Sequence, residues 1–298
     1  MAADWDLRGK TVLITGAARG IGAESARRLS TRGAKLALVG LEPEELQRVA
    51  AQCGPDAAWF EADVTDREAL DRAVAGTVER FGGIDVVMAN AGIGGLGLIR
   101  SLDSAAFERV VDVNLKGPFN TLSACLPQLI ERRGYALVVA SMAVAAHMPA
   151  SAGYSASKAG VEALTNVLRE EVRHLGVDVG CAYFAFIGTD LVAGQDSHPL
   201  GFARARLPGP LAKTYPVSQV GEAVADGIAQ RKRWVLVPRW VGALLLLRGL
   251  IQRLPPNKQT EEIVREMDQR FLDDVRERGA AEASAPVGAG GRAGMNRT

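Results

Sequence analysis

The sequence predicts an α/β fold: a doubly wound, seven-stranded parallel sheet with helices on both faces, plus an apolar helical extension near the C-terminal end. Three observations carry that expectation. Short apolar runs alternate with longer segments of helical period. The runs are apolar on both faces, as strands covered on both sides must be. A glycine-rich turn follows the first of them. With 298 residues, 48% hydrophobic and 23% charged, the chain has enough apolar material for one large domain.

Taken in order, strands are expected at residues 11–15, 35–40, 57–62, 84–89, 135–141, 177–184 and 234–237. Helices are expected at 22–31, 43–53, 66–81, 107–133, 154–175 and 218–231, where apolar residues recur at helical spacing opposite charged faces. Repeated strand–helix–strand units cross over right-handed and open a ligand cleft beyond the carboxyl ends of the strands. Residues 1–238 then form the nucleotide-binding and catalytic domain. Within it, residues 191–216 contain glycine and proline and have no period, the profile of a mobile substrate lid.

Residues 239–280 read as a helical extension, and 281–298, rich in alanine and glycine, as a disordered tail. The stretch 240–254 holds four consecutive leucines, Leu244, Leu245, Leu246 and Leu247, but Arg248 interrupts it and it is too short to span a bilayer. A subunit contact or a cover over the substrate pocket is the favoured reading. A helix lying on a membrane surface, with Arg239, Arg248 and Arg253 around Trp240 and the leucines, is the alternative.

A net charge of +1 and no nucleic-acid motif exclude DNA or RNA as a partner, leaving small molecules and copies of the chain itself in a homodimer or homotetramer. Cys53, Cys125 and Cys181 are odd in number and widely spaced, so neither a disulfide framework nor a metal site is expected. The start, Met1-Ala2-Ala3-Asp4-Trp5-Asp6, is acidic where a signal peptide would be basic and then apolar. A cytoplasmic protein is expected.

The first apolar run delivers the backbone to Gly16, Ala18, Arg19, Gly20, Ile21 and Gly22. Glycines at this spacing let a pyrophosphate approach the N-terminus of the next helix, where free N–H groups and the helix dipole favour anions. A plain tight turn accounts for one glycine but not for three. Asp63, followed by Val64, either accepts from an adenine amino group or caps the helix beginning at Asp66. Asn90-Ala91-Gly92 ends the fourth run with small residues, as backbone lying against a ribose or nicotinamide requires.

The chain resembles the short-chain dehydrogenase/reductase family over residues from about 8 to 238. The matching motifs are 15–22, Asn90-Ala91-Gly92, Asn114 in Val113-Asn114-Leu115-Lys116-Gly117, Ser141, and Tyr154-Ser155-Ala156-Ser157-Lys158. The resemblance implies a Rossmann fold and a catalytic tetrad of Asn114, Ser141, Tyr154 and Lys158. It also implies that Asn114 organises a water that relays protons to Lys158, and that Tyr154, Lys158, Ile187 and Thr189 touch the cofactor. Where the family turns on a Pro-Gly pair after the sixth strand, this chain has Phe184 and Ala185.

Physical reasoning stands beside the resemblance. Tyr154 and Lys158 lie one helical turn apart, so an ammonium near the phenol is expected to favour the phenol's ionised form. Tyr154 then exchanges a proton with a substrate oxygen that Ser141 orients, while hydride moves to or from a nicotinamide. The family's acid at the end of the second strand, which repels a 2′-phosphate, is replaced by Gly40, and Arg19 suits a phosphate in charge and geometry. NADP(H) is therefore favoured over NAD(H), against the alternatives that Leu41 replaces a phosphate-binding basic residue, that Glu42 rotates in, or that Arg19 is simply solvated.

Ser141, Ala143, Phe184 and Phe186 are expected at the substrate, with Leu96, Leu98, Val144 and Met148 as further apolar lining suited to a hydrophobic alcohol or ketone. Arg204, Arg206 and Lys213 read as a solvated basic face, and the mechanism does not need His147. The function predicted is an NAD(P)(H)-dependent oxidoreductase interconverting a secondary alcohol and a ketone. A catalytically silent nucleotide-binding scaffold or sensor is the alternative.

Overall fold

The computed structural model describes residues 5–253, 255 and 258–295. The opening residues 1–4, position 254 of the leucine-rich stretch and the last three residues of the expected tail lie outside the described residues.

The first half alternates strictly: β1 (Thr11–Thr15), α1 (Gly20–Ser30), β2 (Lys35–Gly40), α2 (Pro43–Cys53), β3 (Ala57–Glu61), α3 (Arg67–Phe81) and β4 (Val86–Ala89). The second half continues through α4 (Ser104–Val111), α5 (Gly117–Arg132), β5 (Tyr135–Val139), α6 (Ala152–Val172) and β6 (Asp178–Phe184). After these come α7 (Asp190–Ser197), α8 (Phe202–Ala205), α9 (Val217–Ala229) and β7 (Trp234–Val237). All seven strands are parallel, in the order β3-β2-β1-β4-β5-β6-β7. The strand order reverses between β1 and β4, paired as Val12↔Val86, Leu13↔Val87 and Ile14↔Met88, so the cleft opens beyond their carboxyl ends.

Alternate side chains of each strand feed two cores. Leu13, Val87 and Val138 face one layer of helices, and Ile14, Met88 and Leu137 the other, all six at most 1% exposed. At roughly 1.5–3 kcal/mol per buried aliphatic side chain, this two-sided burial is what fixes the strand tips, and hence the site, in place.

Three expectations need correction. The run at 57–62 was expected to be buried on both faces, but β3 is the edge strand and its Trp59 is 37% exposed. The single helix expected over 107–133 is broken at Asp112–Lys116 by a π turn, in which the Gly117 N–H bonds back to the Asp112 carbonyl. The lid region 191–216 is built of α7, α8 and a short 3-10 turn, Gly209–Leu211, and α7 escaped notice because few of its residues pack inward.

The chain then forms α10 (Val241–Ile251), α11 (Lys258–Arg278), α12 (Ala280–Ala283) and α13 (Gly288–Met295). Residues 281–295 are thus not a disordered tail. Ala283 and Ser284 are each 1% exposed, the Asp103 N–H donates to the Ser284 hydroxyl at 3.1 Å, and the Val287 N–H donates to the Gly94 carbonyl at 2.8 Å. The segment lacks large side chains because backbone packs here: a Cβ on Gly288 would lie 2.7 Å from the Asp190 carbonyl, and one on Gly194 only 2.5 Å from the Gly288 nitrogen. No described helix is long and apolar enough to cross a membrane.

Candidate active site

Two cavities meet at the carboxyl end of the sheet. The larger, about 230 Å³, runs from the β1–α1 turn past β2 to β6 and is lined among others by Gly16, Ala18, Arg19, Gly20, Ile21, Asp63, Val64, Asn90, Ala91, Gly92, Ile187 and Thr189. The smaller, about 110 Å³, is mostly apolar, with Ala143, Met148, Phe186, Leu200 and Met267 in its wall. Both share Ser141, Tyr154, Phe184, Ala185, Leu191 and Val192. Ser141 and Tyr154 therefore stand where the contents of the two cavities would touch.

The glycine turn is built for close approach. Gly16 and Gly20 have φ of 65° and 54°, a region costly for side chains, and a Cβ on Gly16 would sit 2.8 Å from the Ala91 Cα. A Cβ on Gly22 would run into the Gly16 carbonyl oxygen. No side chain caps α1, so its first-turn N–H groups face the cleft ready for an anion. Asn90 locks the turn to β4, its Nδ2 donating to the carbonyls of Thr15 at 3.0 Å and Gly16 at 3.2 Å.

Arg19 is not a free cation. Its Nε donates to Glu42 at 2.9 Å and its Nη1 to Asp190 at 2.8 Å, and these carboxylates hold its pKa above the ordinary arginine value. At the end of β3, burial would raise the Asp63 carboxyl, but the Thr65 N–H and hydroxyl, each at 2.8 Å, and Arg109 at 3.0 Å outweigh it and keep it ionised. The cap of α3 is Asp66, which accepts from the Ala69 N–H, so the capping alternative for Asp63 falls away.

Around the shared wall, Lys158 is 3% exposed and donates to the Val139 carbonyl at 2.8 Å. Burial pulls its pKa down to about 8. Its Nζ lies 5.8 Å from the centre of the Tyr154 ring. Contrary to the expected lowering by an ammonium, the Tyr154 phenol is pushed up by burial, with only the Ser141 hydroxyl pulling the other way. Ser141 caps the 3-10 turn Met142–Val144, accepting from the Ala143 N–H at 3.1 Å. Asn114 is fully buried in the π turn. Its Oδ1 accepts from the Ile93 N–H at 2.8 Å, and its Nδ2 donates to the Ile93 carbonyl at 2.9 Å and the Ser157 hydroxyl at 3.3 Å, so its side chain pins the loop after β4.

Sequence reasoning missed Arg109 on Asp63, Asp190 on Arg19, and the tail, whose Val287, Gly290, Gly291 and Ala293 line the larger cavity. It read Arg204 as solvated, whereas Arg204 stacks 4.9 Å over Phe186 and donates to Asp196 at 2.7 Å in the wall of the smaller cavity. Leu98, proposed as lining, instead packs behind that wall with Phe271 and Met267.

A family model described as short chain dehydrogenase matches residues 10–199. The chain belongs to that family. As a short chain dehydrogenase it is an oxidoreductase, 35% identical over 197 residues to an uncharacterized oxidoreductase of Myxococcus xanthus, covering 65% of this chain and 78% of the relative. An uncharacterized oxidoreductase of Listeria innocua is 34% identical over 193 residues, covering 62% and 77%. Among solved structures, 3-ketoacyl-(acyl-carrier-protein) reductase from Brucella melitensis, crystallised with NADH, superposes with a TM-score of 0.69 at 27% identity, over 78% of this chain and 97% of that one.

Proposed function

We propose that this short chain dehydrogenase is an NAD(P)(H)-dependent oxidoreductase that interconverts a secondary alcohol and a ketone on a hydrophobic small molecule. The observation that carries the reading is the shared wall: Ser141 and Tyr154 border both a long groove with a glycine-lined anion site and a small apolar cavity. A dinucleotide fits the groove because its glycines leave room that a single Cβ would fill. Gly16, Ala18, Gly20, Ile21 and Gly22 would hold its pyrophosphate, Asp63 and Val64 its adenine, and Asn90, Ala91, Gly92, Lys158, Ile187 and Thr189 its ribose and nicotinamide. When bound, the nicotinamide supplies or accepts the hydride.

Tyr154, kept protonated by its burial, gives its proton to a ketone oxygen, and in the reverse direction its phenolate takes the proton of an alcohol. Ser141 donates to the same oxygen and fixes its place, Phe184 and Phe186 enclose the carbon skeleton, and Lys158 replenishes the proton through a water that Asn114 would organise. Phe107 and Phe119, 37% and 53% exposed on α4 and α5, support assembly as a dimer or tetramer. Incubating the cytoplasmic-type enzyme with a panel of alcohols and ketones and each nicotinamide cofactor tests the reading by the absorbance of the reduced cofactor. Binding of cofactor without turnover of any panel member would favour a silent sensor.

The cofactor preference proposed is for NADP(H). Gly40 puts no carboxylate on the last residue of β2, and Arg19 faces the groove, although Glu42 and Asp190, which line the same groove, must yield the guanidinium to a 2′-phosphate. That competition makes the preference modest. Gly40→Asp has room, since a Cβ there meets only Leu46 at 3.5 Å, and it should shift preference toward NAD(H). Arg19→Ala should weaken NADP(H) more than NAD(H), and a wild-type protein that already prefers NAD(H) would refute the assignment.

Lys158 also sets a pH dependence. Burial disfavours its cation, so it is an ammonium below about pH 8 and an amine above. Cofactor affinity, read by fluorescence titration, should fall as pH rises through that value and lose this step in Lys158→Met. A flat wild-type profile would remove Lys158 from the binding site.

A further inference from the structure

α10 presents an apolar stripe to solvent. Ala243, Leu246, Leu247 and Leu250, spaced along one helical face, point outward, with the three leucines 73%, 54% and 65% exposed. The opposite face is anchored: Val241 and Leu245 are buried in the main core, and Arg248 pairs with Glu162 of α6 at 2.5 Å. The exposed leucines are thus held rigidly on the surface. The helix contributes nothing to the lining of either cavity, so the expected cover over the substrate pocket is not its role.

Charge identifies the occupant. From residue 234 to residue 260, the segment that runs from β7 through α10, there are four lysines and arginines and no acidic residue. Arg239 and Arg253 stand exposed at the two ends of α10, and neither has a carboxylate partner among the described residues. Leucines flanked by unpaired cations match an anionic lipid surface in both apolar and electrostatic terms. A second copy of the chain fits less well: a two-fold contact through α10 would set arginine ends against arginine ends with no acid to neutralise them.

We infer that the α10 face docks the enzyme on the surface of an anionic bilayer, without crossing it. The place has a consequence for the chemistry. α10 packs on the 3-10 turn Met142–Val144, whose Met142 and Ala143 line the smaller cavity, so docking brings the apolar cavity beside the lipid phase. Substrates dissolved in membranes would reach it without crossing water. Docking itself does not depend on the oxidoreductase reading.

Flotation of the purified full chain tests this with vesicles of phosphatidylcholine alone and of equal parts phosphatidylcholine and phosphatidylglycerol. The protein should float with the mixed vesicles and much less with the neutral ones. Arg239→Gln and Arg253→Gln should each weaken binding about fivefold, and Leu246→Asn, Leu247→Asn and Leu250→Asn about tenfold each. These side chains touch neither cavity, so cofactor binding in free solution should stay unchanged and report an intact fold. Failure to float with mixed vesicles, or flotation indifferent to the leucine substitutions, would overturn the inference. A leucine variant that instead turns a dimer into a monomer, with no flotation of the wild type, would assign the face to a second copy.

Discussion

Tyr154→Phe is expected to lower turnover by about 10²–10⁴-fold while leaving dinucleotide affinity within a few-fold of the wild type, the range a positioned general acid contributes. The substitution removes one hydroxyl and keeps the ring that separates the two cavities. Because burial holds the phenol protonated, the loss should be clearest in the ketone-reducing direction, where Tyr154 is the donor. Ser141→Ala should cost less in turnover, since it removes a hydrogen bond to the substrate oxygen but no transferable proton. Single-turnover kinetics with saturating cofactor separate the two. Near-normal turnover by the Tyr154→Phe protein would exclude it as the acid/base and leave the tetrad as scaffolding.

Much of this site was legible because its parts are local. Strand tips with glycine, Asn90 or Ser141, and a tyrosine and lysine one turn apart, are each set by a few neighbouring residues, and parallel topology brings the tips together. Other features depend on distant partners and leave no period. Arg19 looks like a phosphate ligand in sequence and turns out to be held by Glu42 and by Asp190, 171 residues away. Nor does composition tell an edge strand from a central one: β3 reads as buried, yet it ends the sheet among the described residues and its Trp59 is exposed. The π turn at Asn114 left only that asparagine as its mark within a helical pattern. The tail was misread for a simpler reason, since glycine content signals disorder when counted as missing side chains and close packing when two backbones meet.

The C-terminal extension yields the second large effect. Phe271 of α11 is fully buried among Ala150, Leu200, Ala203, Met267 and Ala283, and its ring closes on Gly97, where a Cβ would lie 2.9 Å from its Cζ. The surface ion pairs that also tie α11 down, Arg100 with Asp268 and Arg206 with Glu266, are exposed and screened by solvent, so they hold it only weakly. Phe271→Ala should cost about 3–5 kcal/mol, so the ring and not the ion pairs holds the extension in place. For a chain of this size that corresponds to a fall in melting temperature on the order of 10 °C. Met267, one turn before Phe271, lines the smaller cavity, and Leu200 and Ala203 line it too. Loosening this cluster should therefore raise KM for the alcohol or ketone several-fold, with a smaller loss of dinucleotide affinity through the tail residues Val287 and Gly290 that line the larger cavity. Arg206→Ala, by comparison, should barely move either constant. If Phe271→Ala lowers the melting temperature but leaves substrate KM untouched, the extension stabilises the fold without shaping the cavity, and substrate selection belongs to Ala143, Phe184 and Phe186 alone.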